Sequence, residues 1–247
     1  MSEARRQNGK VALVTGGSRG VGAVTARLVA ERGFDVAVNY RNKAKRAEAV
    51  VTEIEAAGRT GWAVQADLTD DDQTTAMFAR IERDAGHIDL LALNASGGLE
   101  SGMAEDYAMQ VNLYAQTNAL DLALPLMPNG SRVVFVTSHL AHFHGEKPVY
   151  PAYEQVAASK KAGEMALRER IPELARRDIS LIVVSGDLID GSITPRLMER
   201  QSPGLIEARR DEAGGLPTVD EFAEAIAGAA IDDDLTTGDT VFVGSTA

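Results

Sequence analysis

Seven short runs of apolar and β-branched residues recur along the chain, each separated from the next by a longer stretch with helical patterning. The runs are Val11–Thr15, Phe34–Asn39, Thr60–Gln65, Ile88–Leu93, Arg132–Thr137, Ile179–Val184 and Thr240–Val243. Helices are predicted over Gly20–Arg32, Lys43–Ala57, Asp70–Ala85, Met103–Leu126 and Tyr153–Arg176, with helical pieces between Ser192 and Ala230. Strands that are apolar at nearly every position are buried on both faces, and helical connections make them parallel. The predicted fold class is α/β, one doubly wound domain over residues 1–247 built on a seven-stranded parallel sheet. Ligands of such sheets bind beyond the carboxyl ends of the strands, so the residues that follow each strand carry the functional reading.

Composition removes several alternatives. Hydrophobic residues make up 45% of the chain, ample for a full core, which excludes a disordered acidic protein. Acidic residues outnumber basic ones 36 to 25, and a net charge of −11 argues against sequence-independent binding to nucleic acid or to an anionic membrane. There is no cysteine, hence no disulfide framework, thiol nucleophile or thiolate metal site. The N-terminal segment is polar, and no apolar run reaches the roughly 18 residues of a membrane span. A soluble cytoplasmic protein is expected.

The first strand runs directly into Thr15-Gly16-Gly17-Ser18-Arg19-Gly20-Val21-Gly22, which opens the first helix. Gly16, Gly20 and Gly22 permit a tight turn and let a phosphate approach the helix N-terminus. Strand, glycine loop and helix together form the context that a dinucleotide site requires. This segment matches T-G-x-x-x-G-x-G in full and resembles the short-chain dehydrogenase/reductase family, whose fold is a Rossmann-type domain. Asp67-Leu68 resembles the family's adenine contact, and Asn94-Ala95-Ser96-Gly97 its N-N-A-G motif with two substitutions. Asn112, Ser138 and Lys160 match its structural asparagine, active serine and active lysine, and Thr237-Gly238-Asp239 matches its C-terminal end.

The resemblance implies a nicotinamide cofactor held by Gly16, Ser18, Arg19, Gly20, Val21 and Gly22, by Asn39, Tyr40 and Arg41, by Asp67 and Leu68, by Asn94, Ala95 and Ser96, and by Lys160 and Gly186. An acid at the end of the second strand would bind a free ribose 2′-hydroxyl, and a base there accommodates a 2′-phosphate. The chain reads Asn39-Tyr40-Arg41, with Asp35 at the wrong end of the strand. Arg41 with Arg19 forms a small cationic clamp suited to phosphate, which favours NADP(H) over NAD(H). The other reading of Arg41 is a solvated loop charge.

Carbonyl reduction needs a group to orient the carbonyl, a group to stabilise the growing negative charge and a proton source. In the resembled family a serine orients, a tyrosine donates, and a lysine four residues later holds the nicotinamide ribose and lowers the tyrosine pKa. Here Val156 stands four residues before Lys160, so Y-x-x-x-K is absent. Tyr153, His139, His142, His144 and water remain as proton sources, with Asn112 positioning a water beside the lysine. No metal site is expected. The segment from Ser138 to Lys160 is longer than the family's, and that from Asn94 to Asn112 is shorter. Ser185-Gly186 replaces the family's Pro-Gly, and Asp187 after it either faces the pocket or solvates the loop, the second reading being preferred. Residues 187–215 are expected to form a substrate cover, and its mixed apolar side chains suit a partly apolar substrate.

The expected function is NADPH-dependent reduction of a small-molecule ketone. Two alternatives share the scaffold: a non-redox NADP-binding sensor, and a lyase or isomerase reusing the pocket. Resemblance also implies a homo-oligomer, a tetramer or dimer packed through the helices that carry Asn112 and Lys160.

Overall fold

A computed structural model describes residues 9–100 and 102–246. Seven strands form one sheet in the order β3-β2-β1-β4-β5-β6-β7. They are β1 (Val11–Val14), β2 (Asp35–Tyr40), β3 (Gly61–Gln65), β4 (Leu90–Leu93), β5 (Arg132–Ser138), β6 (Ser180–Gly186) and β7 (Thr240–Val243). All six pairings are parallel. The chain leaves β1 toward one edge and returns to β4 on its other side. That reversal places the glycine loop at the carboxyl ends of neighbouring strands, where ligands of such sheets bind.

The period-two alternation of each strand separates two core layers. Val11 and Leu13 of β1 face one layer with Leu91, Phe135 and Leu181, and Ala12 and Val14 face the other with Val36, Val134 and Ile182. The first layer is closed by α3 (Asp71–Asp84), α5 (Ala115–Ala123), α7 (Glu154–Glu169) and α8 (Ile171–Ala175). The second is closed by α1 (Gly20–Glu31), α2 (Ala44–Ala56) and α11 (Val219–Ala229). Each helix presents its apolar stripe inward, as Phe222, Ile226 and Ala229 do along α11.

Two long helices differ from expectation. The one expected over Met103–Leu126 begins at α4 (Tyr107–Met109), widens into a π-turn over Gln110–Tyr114, and continues as α5 to a 3-10 turn at Leu124–Leu126. Its start lies later because residues 103–106 are exposed, Met103 at 41%, and offer no buried face for a helix to cover. The helix expected over Tyr153–Arg176 divides at Arg170, because Pro172 donates no N–H and sits in the first turn of α8. In turn, β5 and β6 extend to Ser138 and Gly186, which are register partners at the end of the sheet.

One glycine fixes how the two site helices meet. A Cβ on Gly163 of α7 would lie 2.0 Å from the Asn112 carbonyl oxygen. Only a residue without a side chain lets α7 close onto the π-turn.

Candidate active site

The glycine loop is held from below. Asn39, buried at the end of β2, accepts from the Gly16 N–H at 3.1 Å and donates its amide to the Ala66 carbonyl at 3.2 Å. The Thr15 hydroxyl accepts from the Asn94 and Ala95 N–H groups at 2.9 and 3.0 Å, and the Asn94 amide donates to the Thr15 carbonyl at 2.9 Å. A Cβ on Gly22 would meet the Gly16 carbonyl oxygen and the Asn94 amide at 2.5 Å. Asn39 through its carbonyl oxygen and Asn94 through its amide nitrogen therefore shape the loop. Leu68 is packed into the core, and Asp67 accepts from the Thr69 N–H and hydroxyl at 3.1 and 2.8 Å.

The loop delivers a helix N-terminus suited to an anion. The 12-residue α1 has Arg19 at its N-cap, no side chain capping its first N–H groups, and no acidic residue in its first turn. Those N–H groups and the positive helix end are what a pyrophosphate needs. The residues present thus fit a dinucleotide. Just after β2, Arg41 Nη1 donates to the Tyr107 hydroxyl at 2.5 Å.

At the other end of the cleft the Ser138 and Tyr153 hydroxyls are 3.2 Å apart. Ser138 ends β5, and Tyr153 closes a 3-10 turn, Pro151–Tyr153, just before α7. Tyr153 is 4% exposed and packs with Val156, Leu188, Met198 and Ile206. Burial raises its pKa above the usual phenol value, partly opposed by the hydrogen bond to Ser138, so the phenol is protonated at neutral pH. Val156, at the position expected for the family's tyrosine, is buried in the same cluster.

Lys160 is buried on α7, and its ammonium donates to the Ser96 hydroxyl at 3.5 Å. Burial lowers its pKa to about 8, opposed by the charge of Glu164 one turn later. Glu164 accepts from Arg168 Nε at 2.9 Å and pairs with His142 Nδ1 at 2.8 Å, and these partners hold its carboxyl below the usual range despite burial. Asn112 donates to the Gly97 carbonyl at 2.9 Å and to the Ser159 hydroxyl at 3.0 Å. Its amide thus ties the β4 loop to α7.

The three histidines after Ser138 go separate ways. His139 is buried, with Nδ1 2.9 Å from the Ser185 hydroxyl, and burial lowers its pKa to about 4. His142 belongs to Glu164, and His144 pairs with Glu154 at 2.8 Å. No group of three or more metal-ligating His, Asp or Glu side chains gathers among the described residues.

Asp187 overturns its reading as a solvated loop residue. It lies in a buried ion pair, accepting from Arg209 Nε at 3.1 Å and Nη2 at 2.8 Å. Arg209 is on α10 (Leu205–Ala213), which with α9 (Ile193–Gln201) fills the segment expected to cover the site. Gly186 is required by packing, since a Cβ there would meet the Phe222 ring at 2.7 Å. Tyr107, Glu164 and Arg209 were not among the expected site residues. The placement of Glu164 four residues after Lys160 was the one available signal.

The short chain dehydrogenase family model matches residues 10–202. The chain belongs to the short-chain dehydrogenase family. This short-chain dehydrogenase is 34% identical over 192 residues to 1-cyclohexenylcarbonyl-CoA reductase of Streptomyces collinus, covering 75% of the present chain and 66% of that protein. The match thus spans just under two thirds of that relative. Among solved structures it resembles a short chain dehydrogenase from Burkholderia cenocepacia in complex with NADP, with a TM-score of 0.82, 30% identity, and coverage of 95% and 96% of the two chains. It also resembles a blue fluorescent protein from a metagenomic library in complex with NADPH, with a TM-score of 0.81, 31% identity and the same coverage. Among the described residues no helix is long and apolar enough to cross a membrane.

Proposed function

We propose that this short-chain dehydrogenase is an NADP(H)-dependent reductase of a partly apolar ketone. The observation that carries the reading is the hydroxyl pair of Ser138 and Tyr153, 3.2 Å apart beside an apolar cluster. A bound nicotinamide dinucleotide supplies the hydride. Ser138 and Tyr153 both donate to the substrate oxygen, and Tyr153 gives up the proton as negative charge grows there. Lys160 holds the nicotinamide ribose together with Ser96, and its positive charge favours the phenolate left behind. The first turn of α1 binds the pyrophosphate, Asp67 lies at the adenine, and Arg41 takes the 2′-phosphate. Residues 187–215 cover the substrate.

We extend the reading to a cytoplasmic homo-oligomer. Its support is the pair of exposed apolar side chains on the helices beside the site, Tyr114 and Met165 at 54% and 47% exposure.

Binding of NADP without hydride transfer is the second reading. It is favoured by one observation: the Lys160 ammonium donates to Ser96, and the charge acting on it is that of Glu164. Mixing the protein with NADPH and a panel of activated ketones, while following NADPH absorbance and binding, separates the two. Substrate-dependent oxidation supports the reductase. Tight binding without oxidation supports the sensor, and no binding of either nicotinamide overturns both.

A further inference from the structure

Arg41 and Tyr107 come from separate parts of the chain and meet at the adenosine side of the cleft. Arg41 follows β2, and Tyr107 opens the helix after β4. Besides the 2.5 Å hydrogen bond from Nη1 to the phenol oxygen, the guanidinium carbon lies 6.0 Å from the Tyr107 ring centroid, at the outer limit of a cation–π contact. The Arg41 backbone is fixed as well, because Gln65 Nε2 donates to its carbonyl at 3.0 Å. Tyr107 rests on the loop that follows β4. A Cβ built on Gly97 would lie 3.0 Å from its Cε1, so the ring is seated against the Gly97 backbone.

We propose that Tyr107 is a specificity-determining positioning residue, which holds the Arg41 guanidinium with its remaining N–H edge presented to the 2′-phosphate of NADP(H). The inference rests on the reading of Arg41 as the 2′-phosphate ligand. A guanidinium has five N–H donors in one plane, so with one Nη1 hydrogen committed to Tyr107 and Nε donating to the Asn42 amide oxygen at 3.2 Å, both Nη2 hydrogens and the second Nη1 hydrogen remain for the phosphate. An arginine already held loses less rotamer freedom when the phosphate arrives than one that swings in solvent. The Tyr107 hydroxyl accepts from Arg41 and keeps its own proton to donate. Burial raises the Tyr107 pKa, with the nearby Glu100 and Asp67 charges acting in the same direction and Arg41 opposing them.

The test is calorimetric titration of the whole chain with NADPH, NADH and adenosine 2′,5′-bisphosphate. Loss of one hydrogen bond predicts that Tyr107→Phe weakens NADPH and the bisphosphate by about 3- to 10-fold and leaves NADH unchanged. Arg41→Ala is expected to weaken the same two ligands by about 10- to 100-fold, since its bonds reach a charged group. The double variant should bind no worse than Arg41→Ala alone, because Tyr107 acts through Arg41. If Arg41→Ala lowers the NADPH preference while Tyr107→Phe does not, the positioning role is overturned and the Arg41 reading stands. Equal losses for NADPH and NADH in Tyr107→Phe, or additive losses in the double variant, also overturn it. An unchanged preference in Arg41→Ala overturns the Arg41 reading and this inference with it.

Discussion

The Tyr153 phenol stands 3.2 Å from the Ser138 hydroxyl although the tyrosine precedes Lys160 by seven residues, where the resembled family has four. The 3-10 turn that ends at Tyr153 accounts for this. Its Pro151–Tyr153 geometry stands just ahead of the α7 axis and turns the phenol into the cleft one turn earlier. Position 156 is closed to such a side chain, because a Cβ on Gly98 would already lie 3.0 Å from Val156 Cγ2. The two hydroxyls can therefore meet one substrate oxygen without a tyrosine at position 156.

If Tyr153 donates the proton, Tyr153→Phe should lower turnover by the roughly 10²- to 10⁴-fold associated with general-acid catalysis, while NADPH affinity holds. Restoring the missing motif should not rescue it. Val156→Tyr forces a ring into filled space and should cost about 1–3 kcal/mol of stability in urea denaturation. Near-parental turnover of Tyr153→Phe would transfer the proton to water or to a histidine.

The parts of this site that were legible in the sequence are those encoded locally. The glycine loop, Ser138 at a strand end and Lys160 on a helix follow from segments of a few residues, and each lies on the expected element. Relationships made by tertiary packing were not legible. In the sequence Tyr153 is one of several candidate donors, and its approach to Ser138 depends on the turn before α7. Asp187 looked like a loop carboxylate because its partner lies 22 residues away. The π-turn at Asn112 leaves no mark in hydrophobic periodicity, since it depends on the contact that Gly163 permits with the facing helix.

The Asp187–Arg209 pair joins the end of β6 to α10. Both side chains are largely buried, at 5% and 11% exposure, and Arg209 also donates to Glu212 at 2.9 Å and to the Ser245 carbonyl at 3.1 Å. Replacing Asp187 by Asn removes its charge from the buried guanidinium, which keeps Glu212 and the Ser245 carbonyl. Asp187→Asn should therefore lose about 1–3 kcal/mol of stability, the range for hydrogen bonds to a charged group. It should also expose residues 187–215 to limited proteolysis before the sheet unfolds. A variant that melts like the parent, with that segment still protected, would show that the pair does not hold the cover.

His139 gives a stability change with a defined pH window. Its imidazole has an ordinary value of 6.5 and is lowered to about 4 by burial in the folded chain. Between those values the unfolded chain binds the proton and the folded one does not, so stability rises with pH across the window and falls on acidification. His139→Asn, which keeps a polar atom toward Ser185, should flatten the melting temperature between about pH 4 and 6.5. A slope identical to the parent's would assign the acid limb to other groups.

Burial of the Lys160 charge works against stability at neutral pH. Its folded value of about 8 lies below the ordinary 10.5, so folding disfavours the ammonium. The penalty is full below about pH 8 and is relieved as pH rises toward 10.5, because across that interval the unfolded chain holds the extra proton. Lys160→Met keeps the volume and removes the buried charge. At neutral pH it should melt higher than the parent, by up to a few kcal/mol given about 1.4 kcal/mol per pK unit, and the difference should shrink by pH 10. If Lys160 holds the nicotinamide ribose, the same variant should also bind NADPH more weakly and turn over more slowly. A variant that is less stable at neutral pH would show that Lys160 is held by attractions stronger than its contacts with Ser96 and Glu164. One that loses rate at unchanged NADPH affinity would remove its ribose role.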